Sequence, residues 1–356
     1  MEKVTLLSLA NSIEQLSRQF QSLVQCLEDN HNSPSKVFKV FGSTSKTPNV
    51  PKVLQHSSEK TKTDSSIAKT GPRHIVNQIN LPGLKLPICV PVHFKPTAAM
   101  DLDYDELAIA AYLYGNTLMY NDEEELVLSY GTRAHRDVFR SLFPDREIQD
   151  EVLMLVAKMM SEMTIESGYW FLPPYFADSQ RTRMDPCCMG FLITEICLGK
   201  DDCFKRVFIP VSEMNKECRK HWYLVVVDRV ERQVILLDPN PTKFKDRRRK
   251  TAINLATYLE DVLDPLNSYY DSETTPTFST IGYGFVELEG TSKLKDESND
   301  AGVWVASWMM TCVDASNFNI EVDEVNRMKI AVSLVLKDHN IIEHSIKTKA
   351  IANLQL

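Results

Sequence analysis

The stretch from His221 to Asp238 constrains this chain more than any other: His-Trp-Tyr-Leu-Val-Val-Val-Asp-Arg-Val-Glu-Arg-Gln-Val-Ile-Leu-Leu-Asp. It holds two runs of β-branched and apolar residues on either side of the polar Asp228–Glu231, the pattern of two strands joined by a turn. Pairing Asp228 with Glu231 carries the register outward until His221 faces Asp238. The two then share a face with Cβ atoms about 5 Å apart. An imidazole beside a carboxylate is the base-and-orienter half of a nucleophilic triad. A histidine at a strand start is also commonly an ordinary polar edge residue.

The chain around this hairpin divides by composition. Leu6, Leu9, Ile13, Leu16, Phe20, Leu23 and Leu27 alternate spacings of three and four, an a/d seam of slightly more than three heptads over residues 1–30. Three heptads are marginal for a lone helix. The seam therefore predicts self-association or a partner helix through residues 6–27, or else docking on the chain's own body. Residues 31–85 are rich in Ser, Thr, Lys and Pro, and carry nine Lys/Arg against two Asp/Glu. They read as a basic flexible linker. The whole chain has a net charge of −8, residues 1–30 contribute −2 and residues 31–85 contribute +7, so the remainder carries −13. An acidic body argues against nucleic acid as its partner.

Residues 86–356 read as the folded body, beginning along a proline-punctuated extended stretch. Helices are predicted from Asp103-Tyr104-Asp105-Glu106, near His135–Leu142, from Ile148, from the Lys245–Lys250 run, over Val303–Val313 and over Val325–Leu336. Strands are predicted at Arg206–Val211, in the hairpin and at Thr280–Leu288. The Arg247–Lys250 run reads as a solvated helix start, with a nuclear-import patch as the alternative. The order predicts an α+β body with a mixed central sheet flanked by helices.

No apolar run approaches the roughly 18 residues of a membrane span, and the first residues lack a signal-peptide pattern. The eight cysteines show no C-x-x-C pair, which suits a reduced, intracellular protein of nucleus or cytoplasm. Cys187, Cys188, Cys197 and Cys203 cluster loosely but match no common zinc-ligand spacing, so no metal or cofactor is expected.

A hairpin carrying His and Asp needs a nucleophile at a helix N-terminus, where the dipole and free N–H groups lower a thiol's pKa and stabilise an oxyanion. The candidate is Ser298-Asn299-Asp300-Ala301-Gly302-Val303-Trp304-Val305, polar residues leading into an apolar helix. His221-Trp222, Asp238 and Asp300-Ala301-Gly302 together resemble the ubiquitin-like-protein-specific cysteine peptidases, the SUMO-protease and adenain-like family. There a His-Trp starts one strand, an Asp ends the next and an Asp-Cys-Gly opens a helix. Ile148-Gln149-Asp150-Glu151-Val152 is similar to the family's earlier helix. Gly168-Tyr169-Trp170-Phe171-Leu172-Pro173-Pro174 and Phe208-Ile209-Pro210-Val211 look like the plant branch. The resemblance covers roughly residues 101–337.

This resemblance implies a papain-like/adenain-like peptidase fold, with His221 as base, Asp238 as its orienter and position 301 as nucleophile. It also implies Trp222, Asp150 and Gly302 as substrate-binding residues, Trp222 covering a channel that admits a Gly-Gly terminus. The implied partner is a ubiquitin-like modifier or its conjugates. The departures are chemical. Ala301 has a methyl group where the family has sulfur, Lys295 stands where the family's oxyanion Gln would be, and Glu147 replaces the Trp that opens the earlier motif. Cys312 lies eleven residues further along the same helix, about 16 Å away, and cannot substitute. Two origins for Ala301 stand: decay into a pseudopeptidase, or deliberate replacement of a nucleophile to trap substrate. The missing Gln favours decay, since trapping needs one change only. An interaction or scaffold protein built on the heptad seam is the reading from another class.

Overall fold

The computed structural model describes residues 94–354, apart from 116–121, 130–131, 165–166, 187–188, 191–192, 194–203, 215–218, 242–243, 270–277, 289–293, 295–297 and 312–317. The heptad seam, the linker, Lys295 and all eight cysteines lie outside the described residues.

Helix α1 (Tyr104–Tyr114) starts where the acidic cluster predicts. The Asp103 carboxylate accepts from the Glu106 N–H at 2.8 Å, and the Glu106 carboxylate accepts in turn from the Asp103 N–H at 3.0 Å. A short hairpin, β1 (Glu125–Ser129) with β2 (Thr132–His135), leads into α2 (Arg136–Arg140), and α3 (Asp150–Met163) follows. The Trp170–Phe176 segment contributes most of β3 (Tyr169–Phe171) and the start of α4 (Pro174–Thr182), which has proline at its first position. Then come β4 (Arg206–Met214), β5 (Lys220–Asp228), β6 (Gln233–Leu237), α5 (Lys245–Tyr269), β7 (Gly284–Glu287), α6 (Ala301–Thr311), α7 (Glu324–Leu336) and α8 (Glu343–Leu354).

Five strands form one mixed sheet in the order β3-β4-β5-β6-β7, antiparallel in the middle and parallel at both sides. Side chains alternate across it. Phe208, Trp222, Leu224, Val226, Ile235 and Leu237 pack with α1, α3, α6, α7 and α8. Val207, Ile209, Tyr223, Val225, Val227, Val234 and Leu236 pack with α4 and α5. Both faces are covered, which is why β5 reads as an unbroken apolar run rather than an alternating one. The architecture is α+β, a mixed sheet flanked by helices.

The hairpin register differs from the sequence expectation. Asp228 faces Gln233, not Glu231, and the pairs continue to Leu224 with Leu237. The turn is longer because the Asp228 carboxylate takes the Glu231 N–H at 2.9 Å, while Arg232 adopts a left-handed φ of 52°. The displacement is two residues. An even slip leaves every side chain on its face, whereas a slip of one would have reversed them all. His221 and Asp238 therefore remain on one face, set diagonally instead of directly opposite.

Candidate active site

His221 lies near the start of β5 and Asp238 just past the end of β6, so both stand at one end of the sheet. His221 Nε2 and Asp238 Oδ1 are 2.9 Å apart. Asp238 is buried, and its carboxylate also accepts the Asn240 N–H at 2.9 Å and a bond from Arg248 Nη1. Burial alone would push the carboxyl up. The His221 hydrogen bond, the Arg248 charge and the Asn240 N–H outweigh it and hold Asp238 below the usual carboxylate range. An ionised carboxylate only accepts, so Nε2 carries the proton. In the neutral ring Nδ1 then holds the lone pair and is the nitrogen a base would use.

Arg248 and Glu213 were not singled out by the sequence reading. Arg248 is 4% exposed on α5, whereas Lys245, Asp246, Arg247, Arg249 and Lys250 around it are exposed as a solvated helix start should be. Its Nε donates to Glu213 Oε1 at 2.6 Å and its Nη1 to the Asn240 carbonyl at 2.9 Å. Its guanidinium carbon lies 5.6 Å from the Tyr223 ring centre. Glu213 faces His221 directly across β4 and β5. The signal that could have found this pair is Glu213 itself. A carboxylate at the end of the buried run Val207–Glu213 demands a cation.

Trp222, the residue after His221, points to the opposite face and is 1% exposed within the core. Its indole N–H meets no acceptor among the described residues. The Lys220 ammonium sits 4.7 Å from its ring centre and bonds Asp150, the first residue of α3. Beside Trp222 lies Gly302, where a Cβ atom would come within 3.1 Å of Trp222 Cδ1 and 2.4 Å of Ile148 Cγ1. Only a residue without a side chain lets the start of α6 approach this closely. Glu147 is exposed.

Ala301 is the first residue of α6 and is buried. The Asp300 carbonyl accepts the Trp304 N–H at 3.0 Å. The Asp300 carboxylate accepts from Arg327 Nη2 at 2.6 Å and Nε at 3.0 Å, and from Ser298 Oγ at 2.5 Å. The structure thus joins His221 to Asp238 on one face of β5, and on the other face sets Trp222 against Gly302 and under the Lys220–Asp150 pair, with a methyl group opening α6. An alanine side chain has no lone pair, so position 301 cannot attack a carbonyl.

No family model matches the chain, and no curated protein matches it. Among solved structures it is similar to the SUMO protease Ulp1 with its catalytic cysteine oxidized to a sulfinic acid. That likeness has 14% identity and a TM-score of 0.49, and covers 68% of this chain and 97% of that one. A Chaetomium thermophilum Ulp1-like SUMO protease catalytic domain matches at 15% identity and a TM-score of 0.48, covering 66% and 89%. The C-terminal Ulp1 protease domain in complex with Smt3, the yeast orthologue of SUMO, matches at 13% identity and a TM-score of 0.46, covering 66% and 95%.

Proposed function

We propose that this chain is a pseudopeptidase: a cysteine-peptidase-type domain of the ubiquitin-like-protein-specific kind that has lost its nucleophile and retains binding of a modifier's C-terminal Gly-Gly tail. The observation that carries the reading is the 2.9 Å His221–Asp238 pair, with His221 next in β5 to Trp222, the residue that meets Gly302 in a helix opening with Ala301 instead of a thiol. Base and orienter stand in a working relation, and the group they would serve is missing. Binding and catalysis rest on different atoms here. Trp222 and Gly302 line the helix start with ring and backbone, and neither needs sulfur.

Titration of the full chain with a processed modifier ending in Gly-Gly is expected to give saturable binding that a tail truncated by two residues does not. Absence of binding up to high micromolar concentration sinks the reading. The same protein carrying Ala301→Cys addresses an intact peptidase with a replaced nucleophile. Under the pseudopeptidase reading it stays slow on a modifier-derived ester, because the family's oxyanion Gln is also missing, and one such donor is worth roughly 10²–10³ in rate. Efficient turnover that also requires His221 would favour the replaced nucleophile. The heptad seam would then serve assembly beside either reading.

A further inference from the structure

The His221–Asp238 pair does not stand alone, and the cation behind it comes from a run that looks like surface. Of the cations at the start of α5, Arg248 alone is buried, and it bridges two carboxylates. Nε reaches Glu213 Oε1 at 2.6 Å on β4, and Nη1 reaches Asp238 Oδ2 beyond β6. Asp238 Oδ2 is thereby occupied by Arg248. Oδ1 is left for His221 Nε2 and the Asn240 N–H, each at 2.9 Å. A carboxylate free to rotate about its Cα–Cβ and Cβ–Cγ bonds would offer His221 either oxygen, in many orientations. A planar guanidinium on one oxygen removes that freedom. Glu213, directly across from His221 in the register, fixes the guanidinium in turn. Without Arg248, Glu213 and Asp238 would be two buried carboxylates facing one another across His221, and their repulsion would turn Asp238 away from the imidazole.

We propose that Arg248 is the positioning residue of this site: it acts through Asp238 to hold the His221 ring with Nε2 protonated and Nδ1 free as the base nitrogen. The inference rests on reading His221–Asp238 as a base and its orienter, and not on modifier binding.

The test is histidine-15N NMR on the full chain, with the His221 signals assigned from His221→Gln. In the unaltered protein the Nε2–H proton is expected as a downfield resonance in slow exchange with water. Arg248→Met should speed that exchange by about tenfold or more, the effect of weakening a charge-assisted hydrogen bond, and Arg248→Lys should restore part of it. Removing one buried charge can prevent folding. The paired variant Glu213→Gln/Arg248→Met removes one charge of each sign and is expected to show the same loss with the backbone amide spectrum intact. A folded Met or paired variant whose Nε2–H exchanges as slowly as the original overturns the proposal, as does a Lys variant indistinguishable from the Met variant. A chain that shows the slow proton yet binds no Gly-Gly tail sinks the pseudopeptidase reading and leaves Arg248 its role.

Discussion

Gly302 is the position where one added atom should cost most. A methyl group there would meet Ile148 Cγ1 at 2.4 Å, Cδ1 at 2.6 Å and Trp222 Cδ1 at 3.1 Å. Two effects of opposite sign compete. Alanine gains up to about 1 kcal/mol over glycine in a helix, while overpacking a tight core costs about 1–3 kcal/mol. Neither neighbour can yield freely, because Ile148 and Trp222 are both buried. Gly302→Ala should therefore lose about 1–2 kcal/mol net in urea unfolding. Ile148→Ala alone leaves a cavity and costs about 2–5 kcal/mol. The double variant should cost less than the sum, since the new methyl occupies part of that cavity. Strict additivity would show that the two side chains do not meet.

At the scale of elements, the start of α6 is held by α7. Arg327 is 1% exposed and donates to the Asp300 carboxylate, to the Phe143 carbonyl at 2.9 Å and to the Arg146 carbonyl at 2.8 Å, so one side chain ties three segments together. Arg327→Met should cost about 3 kcal/mol, the low end for a broken buried pair, because Asp300 keeps contact with water. Asp300→Asn in that background should add little, and independent losses from the two changes would rule out a shared role. How far such features can be read from sequence depends on whether they are local. The Asp103–Glu106 capping box, the two runs of the hairpin and the polar lead into α6 declare themselves within a few residues. The hairpin's exact pairing did not, because Arg229–Arg232 offers no Asn-Gly or Gly to mark a two-residue turn, and Arg232 takes the left-handed conformation without being glycine. The β1–β2 hairpin is short, and α8 carries few buried residues, Ile346 and Ala350 fully so, which gives little periodicity to detect. Arg248 is the sharpest miss. Nothing in Lys-Asp-Arg-Arg-Arg-Lys distinguishes the buried cation from its exposed neighbours, since the distinction lies in Glu213 and Asp238, 35 and 10 residues away.

Across the whole molecule, stability should depend on pH through a residue outside the candidate site. His339, between α7 and α8, is 3% exposed, and neither ring nitrogen has a partner among the described residues. Burial pulls its pKa down from 6.5 to about 4, with Lys158 adding to the shift and Asp338 opposing it. The sign follows from proton counting. Between about 6.5 and 4 the unfolded chain binds a proton at this position that the folded chain refuses, so stability falls as pH drops through that window. The full effect is on the order of 3 kcal/mol, and it would loosen the junction where Asn340 ties β1 to the end of α7 through the Leu128 N–H and the Leu126 and Val335 carbonyls. The depressed Asp238 and Glu124 also destabilise the fold at low pH, but their contribution is present above the unfolded carboxylate pKa and is lost only as pH falls below it. The two groups therefore act in largely separate ranges. His339→Leu, which cannot take up a proton in either state, should flatten the fall in unfolding free energy between pH 6.5 and 4.5 and leave the steeper acid limb below pH 4 in place. An unchanged slope in that upper range would mean that His339 titrates alike in the folded and unfolded chains, and that the junction opens to water before the rest of the body does.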